Sequence, residues 1–198
     1  MNKRLALAGG ATLVVGAVIV TAAVALGTAQ GPQAQMSANQ VPVDVDTTAL
    51  PGPRQPIFYR HDVHAGQYQM DCRYCHFAAE RSASAGLPTL STCMGCHRIA
   101  GVQNPEVQKL RQAFNNDEGV EWVEVHVLAP FVHFPHMRHV NSNRGELANK
   151  TTTEKCETCH GPIRQMPQVY QYSSLKMGWC VDCHRKSEAR TDCTVCHY

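Results

Sequence analysis

The sequence predicts a mainly helical and irregular domain with little regular secondary structure, carried behind one N-terminal transmembrane helix. Three observations lead there. All ten cysteines fall in five copies of one short motif, an uncharged stretch opens the chain, and hydrophobic periodicity is scarce between Ile57 and Tyr198. The formal net charge of +2 is modest and argues against a nucleic-acid partner, which would want a basic surface.

Residues Leu5 to Ala29 carry no charge. As a helix rising about 1.5 Å per residue they reach about 37 Å, beyond the roughly 30 Å hydrocarbon core of a bilayer. Lys3 and Arg4 also suit the positive region of a signal peptide. The apolar run, however, exceeds the usual span of about 7–15 residues for such a segment, so an uncleaved anchor is expected over residues 1–29. The same two cations keep the N-terminus in the cytoplasm and send the rest of the chain to the periplasmic side. Thr12, Gly16, Ala17, Thr21 and Ala25 place small residues four apart, a pattern that lets membrane helices approach closely. From 30 to 56 the chain turns polar and holds Pro32, Pro42, Pro51, Pro53 and Pro56, the composition of an extended linker.

The five motifs are Cys72-Arg73-Tyr74-Cys75-His76, Cys93-Met94-Gly95-Cys96-His97, Cys156-Glu157-Thr158-Cys159-His160, Cys180-Val181-Asp182-Cys183-His184 and Cys193-Thr194-Val195-Cys196-His197. Two thiols at this spacing add across the two vinyl groups of a haem, and the adjacent His is then placed to bind the iron. A zinc ribbon has no reason to follow every second cysteine with His, and a disulfide framework would not hold all its cysteines at one spacing. The expectation is five covalently bound haem c groups, held through Cys72, Cys75, Cys93, Cys96, Cys156, Cys159, Cys180, Cys183, Cys193 and Cys196. The proximal ligands are His76, His97, His160, His184 and His197. Residues 57–198 then give fewer than 30 residues to each haem. The fold class is a mainly α and irregular multihaem cytochrome c domain whose core is packed with haem. Arg73, Arg98, Arg164, Arg185 and Lys186 lie near the motifs and read in part as partners of the haem propionates.

Six of the eleven histidines lie outside the motifs: His61, His64, His126, His133, His136 and His139. Their placement shows an internal duplication. His61-x-x-His64 precedes the first two motifs and His136-x-x-His139 the next two, with Tyr59 and Phe134 at the same offset before each pair. Three residues apart, paired His share one face of a helical turn and can reach neighbouring haems. This divides the domain into a first haem-pair module over 57–101, an insert over 102–131, a second module over 132–186 and a fifth haem over 187–198. The last motif needs a sixth ligand from His126, His133 or Met177; Met there would raise the potential relative to His.

Within the insert, Asn104-Pro105 is expected to cap a helix whose Val107, Leu110 and Phe114 form one apolar side. The run Asn115 to Gly119 then turns the chain. Glu121 to Val127 alternates and is expected to form a short strand with Trp122 and His126 on one face.

Several stretches carry a resemblance beyond the generic motif. They are Ala85-Gly86-Leu87-Pro88 after the first motif, Trp122 through Val125-His126 into Phe131-Val132, His136-x-x-His139-Val140, Gly161 after the third motif, Met177-Gly178-Trp179-Cys180 with His184-Arg185, and the terminal Cys196-His197-Tyr198. In this order, behind one N-terminal membrane helix, the chain resembles the pentahaem c-type cytochrome component of alternative complex III, a membrane quinol oxidase. The resemblance spans nearly all of 57–198. It implies a non-catalytic component that takes electrons from an iron–sulfur subunit, fed by quinol-binding integral membrane subunits, and passes them to a monohaem cytochrome c subunit or a soluble acceptor. It also implies distal ligands at His61, His64, His126, His136 and His139. His133 stands where the family has an aromatic residue and is the spare histidine.

Two other functions fit parts of the sequence. An independent, membrane-anchored quinol dehydrogenase would share the anchor, but the linker offers only Asp44 and Asp46 as protonatable groups near the membrane. A multihaem enzyme needs an iron with an exchangeable position, and six His with Met177 for five irons force no such vacancy.

Overall fold

The computed structural model describes residues 47–198. The anchor expected at 1–29 and the linker up to residue 46 lie outside them. No helix among the described residues is long and apolar enough to cross a membrane.

The described chain is a succession of short helices and loops. A π-helical turn, Asp62–Gln67, is followed by α1 (Cys72–Cys75), α2 (Leu90–His97), α3 (Pro105–Asn115), α4 (His136–Val140), α5 (Thr152–His160) and α6 (Met177–Lys186). Three 3-10 turns sit at Gly145–Leu147, Ile163–Gln165 and Cys193–Val195. Helix starts follow local chemistry. The Asp71 carboxylate accepts from the Arg73 N–H ahead of α1, and Asn104 accepts from Glu106 N–H while Pro105 takes the first helical position of α3. At α5, Thr151 and Glu154 form a reciprocal capping box.

Val107 and Leu110 of α3 are buried as the apolar pattern requires. Leu110 joins Ile57 and Met94 in a small cluster on which Leu90, Phe114, Val120 and Trp122 pack. Among the described residues this is the one place where side chains build a conventional core. The only other buried hydrophobics there are Val63, Ala79, Val107 and Met166.

The expected strand over Glu121–Val127 is not formed; the described residues contain no strand. The segment takes no regular structure, and its backbone finds a side chain in place of a second strand. The Gln55 amide donates to Val123 O at 2.9 Å and accepts from Val123 N–H at 2.8 Å. Trp122 goes to the core cluster and His126 to the His160 ring, so the two do not share a face. The end of the Pro-rich stretch is also tied down, since buried Gln168 donates to Pro51 O and Gly52 O at 3.1 and 2.9 Å.

Gly161 closes α5 directly after the third motif, at φ +74° and ψ −165°. A Cβ added there would lie 2.3 Å from Cγ of Tyr172. Gly161→Ala combines a left-handed backbone with a clash against a ring, and should cost about 1–3 kcal/mol. Thermal unfolding of the holoprotein measures this, and an unchanged midpoint would contradict it.

Candidate functional site

All five motifs fall on helical turns. The first forms α1 with His76 as its C-cap, the second ends α2, the third ends α5, the fourth lies inside α6 and the fifth forms the 3-10 turn Cys193–Val195. Helical winding sets the two cysteines of each motif, three apart, on one face, and brings the following His round to the same side.

The duplication read from the sequence is present in the geometry. Tyr59 stacks on His64 with centroids 4.5 Å apart and meets His61 edge-on at 4.8 Å. Phe134 stacks on His139 at 4.1 Å and meets His136 edge-on at 4.9 Å. The His64 and His139 Nδ1 atoms hydrogen-bond to the carbonyls four residues back, Arg60 O at 2.8 Å and Pro135 O at 3.0 Å. In each half the aromatic ring packs both imidazoles into fixed orientations.

These rings then face motif histidines across short gaps. Centroid separations are 6.0 Å for His64 and His97, 6.4 Å for His136 and His160, and 6.1 Å for His139 and His184. Two metal–imidazole bonds of about 2 Å each, plus half a ring on either side, need a separation of about 6 Å. His76 lies close enough to His61 to disfavour charge on it.

Nδ1 is committed elsewhere in nearly every one of these rings. His76 Nδ1 bonds to Gly86 O (2.7 Å), His97 to Ala100 O (3.0 Å), His184 to Arg190 O (2.6 Å), His197 to Phe131 O (3.0 Å) and His136 to Ala83 O (2.7 Å). That fixes one tautomer and leaves Nε2 as the free ligand atom. The Nδ1 of His61 is buried without a protein partner.

Burial lowers the His61 pKa to about 4, with His76 and His64 adding repulsion. It lowers His160 to about 3, with His126 and His136 next in effect. His64, His126 and His139 are also lowered, chiefly by burial. Burial thus favours the neutral form of these five imidazoles, the form in which His binds a metal. They meet in twos: among the described residues no three His, Cys, Asp or Glu side chains converge as a bare ion would need. Tyr74, Phe77, Leu87 and Met177 present apolar surface in or near the motifs. Facing imidazoles, paired thiols and apolar walls are what a haem requires.

Cysteines of different motifs lie close to one another. Cys72 lies beside Cys156, which is the first cause of its lowered pKa. Cys75 neighbours Cys93, Cys159 neighbours Cys183 and Cys180, and Cys180 neighbours Cys196, each adding to the effect of burial in raising a thiol pKa.

Not every residue singled out from the sequence falls where expected. His126 meets His160, with its Nε2 3.2 Å from His160 Nδ1, and no ring contact joins it to His197. His133 stacks on Tyr198 at 4.4 Å, and its N–H donates to Cys196 O. Met177 lines one cleft with Cys193, Cys196 and His197. Of the cations near the motifs, Arg73 pairs with Asp71 and Glu80, Arg164 with Glu157 and Lys186 with Asp182. Those three are thus held at least partly by the chain's own carboxylates. The sequence reading missed Gln55, Gln168 and the Thr151 capping box; only the last had a local signal, Thr-x-x-Glu ahead of a motif.

No family model matches the chain. It is similar to the multihaem cytochrome c subunit of a menaquinone reductase from Nitratidesulfovibrio vulgaris strain Hildenborough, at 25% identity over 160 residues, covering 72% of this chain and 76% of the relative. The likeness is to a multihaem cytochrome c. It agrees with the helical, strand-poor architecture of the described residues and with the five Cys-x-x-Cys-His motifs.

Proposed function

We propose that this chain is the electron-relay component of a membrane quinone oxidoreductase, holding five c-type haems. The observation that carries the reading is the set of imidazole pairs about 6 Å apart with Nδ1 tied away from the gap. Haem, when bound, supplies a one-electron Fe(III)/Fe(II) couple whose potential is set by its axial ligands and surroundings. The chain's own residues hold, orient and insulate it. Ten cysteines anchor the five groups, and His76, His97, His160, His184 and His197 take the proximal side.

On the distal side the assignment is His61 opposite His76, His64 opposite His97, His136 opposite His160 and His139 opposite His184. The cleft shared by Met177 and His197 favours Met177 for the fifth. This set departs at one position from the one the resemblance implies, where His126 was distal. His133 is given to Tyr198 and is the spare. Near-infrared magnetic circular dichroism separates the two cases: one His/Met and four bis-His signals are expected, with the His/Met signal lost in Met177→Leu. Five bis-His signals would contradict the assignment.

Neighbouring groups also favour a linear order. The His61/His64 pair joins the first and second motifs, Cys72 and Cys156 the first and third, the His136/His139 pair the third and fourth, and Cys180 and Cys196 the fourth and fifth. The path runs second, first, third, fourth, fifth. A relay of this kind works in either direction. It is compatible with the menaquinone reductase to which the relative belongs and with the quinol-oxidising alternative complex III. We favour the latter on the stretches that carry the resemblance, from Ala85–Pro88 to Cys196–Tyr198. The anchor at 1–29 then holds the haem domain on the periplasmic face of the cytoplasmic membrane. Its partners there are an iron–sulfur subunit, quinol-binding membrane subunits and a monohaem cytochrome c or soluble acceptor.

The lone chain, with its haems, should not turn over menaquinol against an oxidised acceptor cytochrome, whereas the assembled complex should. Fast, inhibitor-sensitive turnover by the lone chain would instead make it an independent quinol dehydrogenase.

A further inference from the structure

Four of the five motif histidines donate Nδ1–H to a backbone carbonyl; His160 alone meets another imidazole, His126. We infer that His126 is a positioning residue, accepting the Nδ1–H of His160 at its Nε2 and thereby tuning the haem attached at Cys156 and Cys159. The inference rests on the proposed haem function and assigns this histidine a role other than iron ligand.

The geometry is that of a hydrogen bond between imidazoles. The two nitrogens are 3.2 Å apart, and the rings stand nearly perpendicular at 82° with centroids 4.3 Å apart. On its other side His160 faces the His136 ring, almost parallel at 10° and 6.4 Å away. The His136 Nδ1 is itself committed to Ala83 O. Both Nε2 atoms of that pair are therefore free, and the one iron position on the third motif is already supplied from two sides. His126 is left as the partner behind the ligand.

The chain fixes His126 through the segment that leads to it. Trp122 is packed on the Ile57, Met94 and Leu110 cluster, and Val123 is clamped by the Gln55 amide through two hydrogen bonds. A residue that only filled space would not need the backbone fixed three residues ahead of its ring. Hydrogen bonding at Nδ1 raises the basicity of a metal-bound imidazole and favours the higher oxidation state of the iron. A neutral imidazole nitrogen in place of a carbonyl oxygen makes the third haem's ligand chemically distinct from the other four. In the proposed linear order, that haem is the middle one.

The test compares His126→Ala and His126→Asn holoproteins with the parent. The readouts are haem count, low-temperature EPR and redox titration. In His126→Ala we expect five haems with no new high-spin signal and no CO binding, one midpoint potential shifted upward and four unchanged. His126→Asn, whose amide oxygen still accepts a hydrogen bond, should recover most of the shift. A new high-spin or CO-binding haem in either variant would make His126 an axial ligand and overturn the inference, and five unchanged potentials in His126→Ala would do the same. Should the alanine variant fail to accumulate, low-spin retention in His126→Asn decides the point. A parent chain with fewer than five haems would overturn the underlying haem reading.

Discussion

A chain with alanine at all ten cysteines should have no cooperative unfolding transition and the far-ultraviolet circular dichroism of an unfolded polypeptide. The described residues bury only Ile57, Val63, Ala79, Met94, Val107, Leu110 and Met166 as hydrophobics, and none of their large side chains is fully enclosed. Helices of four to eleven residues are too short to persist alone in water, where even favourable sequences need about 12–15. Without a covalently held apolar group to pack on, the conformational entropy of the chain, about 1–2 kcal/mol for each residue ordered, is not offset. The loss should be of the whole fold rather than of a fraction of its stability. A helical, cooperatively melting apo chain would refute this.

His136→Ala should convert one of five haems from low-spin to high-spin and make it bind CO when reduced, while His133→Ala should convert none. His136 faces His160 at 6.4 Å, whereas His133 is stacked on Tyr198. Because the third motif lies in the middle of the proposed order, the same variant should also interrupt passage between the ends. Flash-reduction of the chain followed by stopped-flow oxidation by an acceptor would show a fast phase from one side of the break only. Unchanged spectra in His136→Ala, or a high-spin haem in His133→Ala, would show that the pairs are wrongly drawn.

The sequence revealed most where covalent spacing dictates structure. The two His-x-x-His pairs, each behind a leading aromatic, demand matching turns, and these were legible from the residues alone. So was α3, because Asn104 and Pro105 carry the capping chemistry in the local sequence. The segment Glu121–Val127 was not. Alternation predicts a strand only if another strand is available to pair, and here a glutamine 68 residues away supplies the hydrogen bonds. The place of His126 was hidden for the same reason. Its partner lies 34 residues on, and nothing in either local sequence says that His160 lacks a carbonyl acceptor. Which motif histidines the His136 and His139 rings face was equally beyond reach, since it depends on how α4 docks against Ser82 and Ala83 through the His136 and Met137 N–H groups.

The mass of the mature chain, combined with a pyridine haemochrome assay, tests the five-haem claim most directly. Five thioether-linked haems per polypeptide are expected, with no free thiol left to alkylate. Four or fewer haems, free cysteines, or bound zinc in place of haem would contradict it.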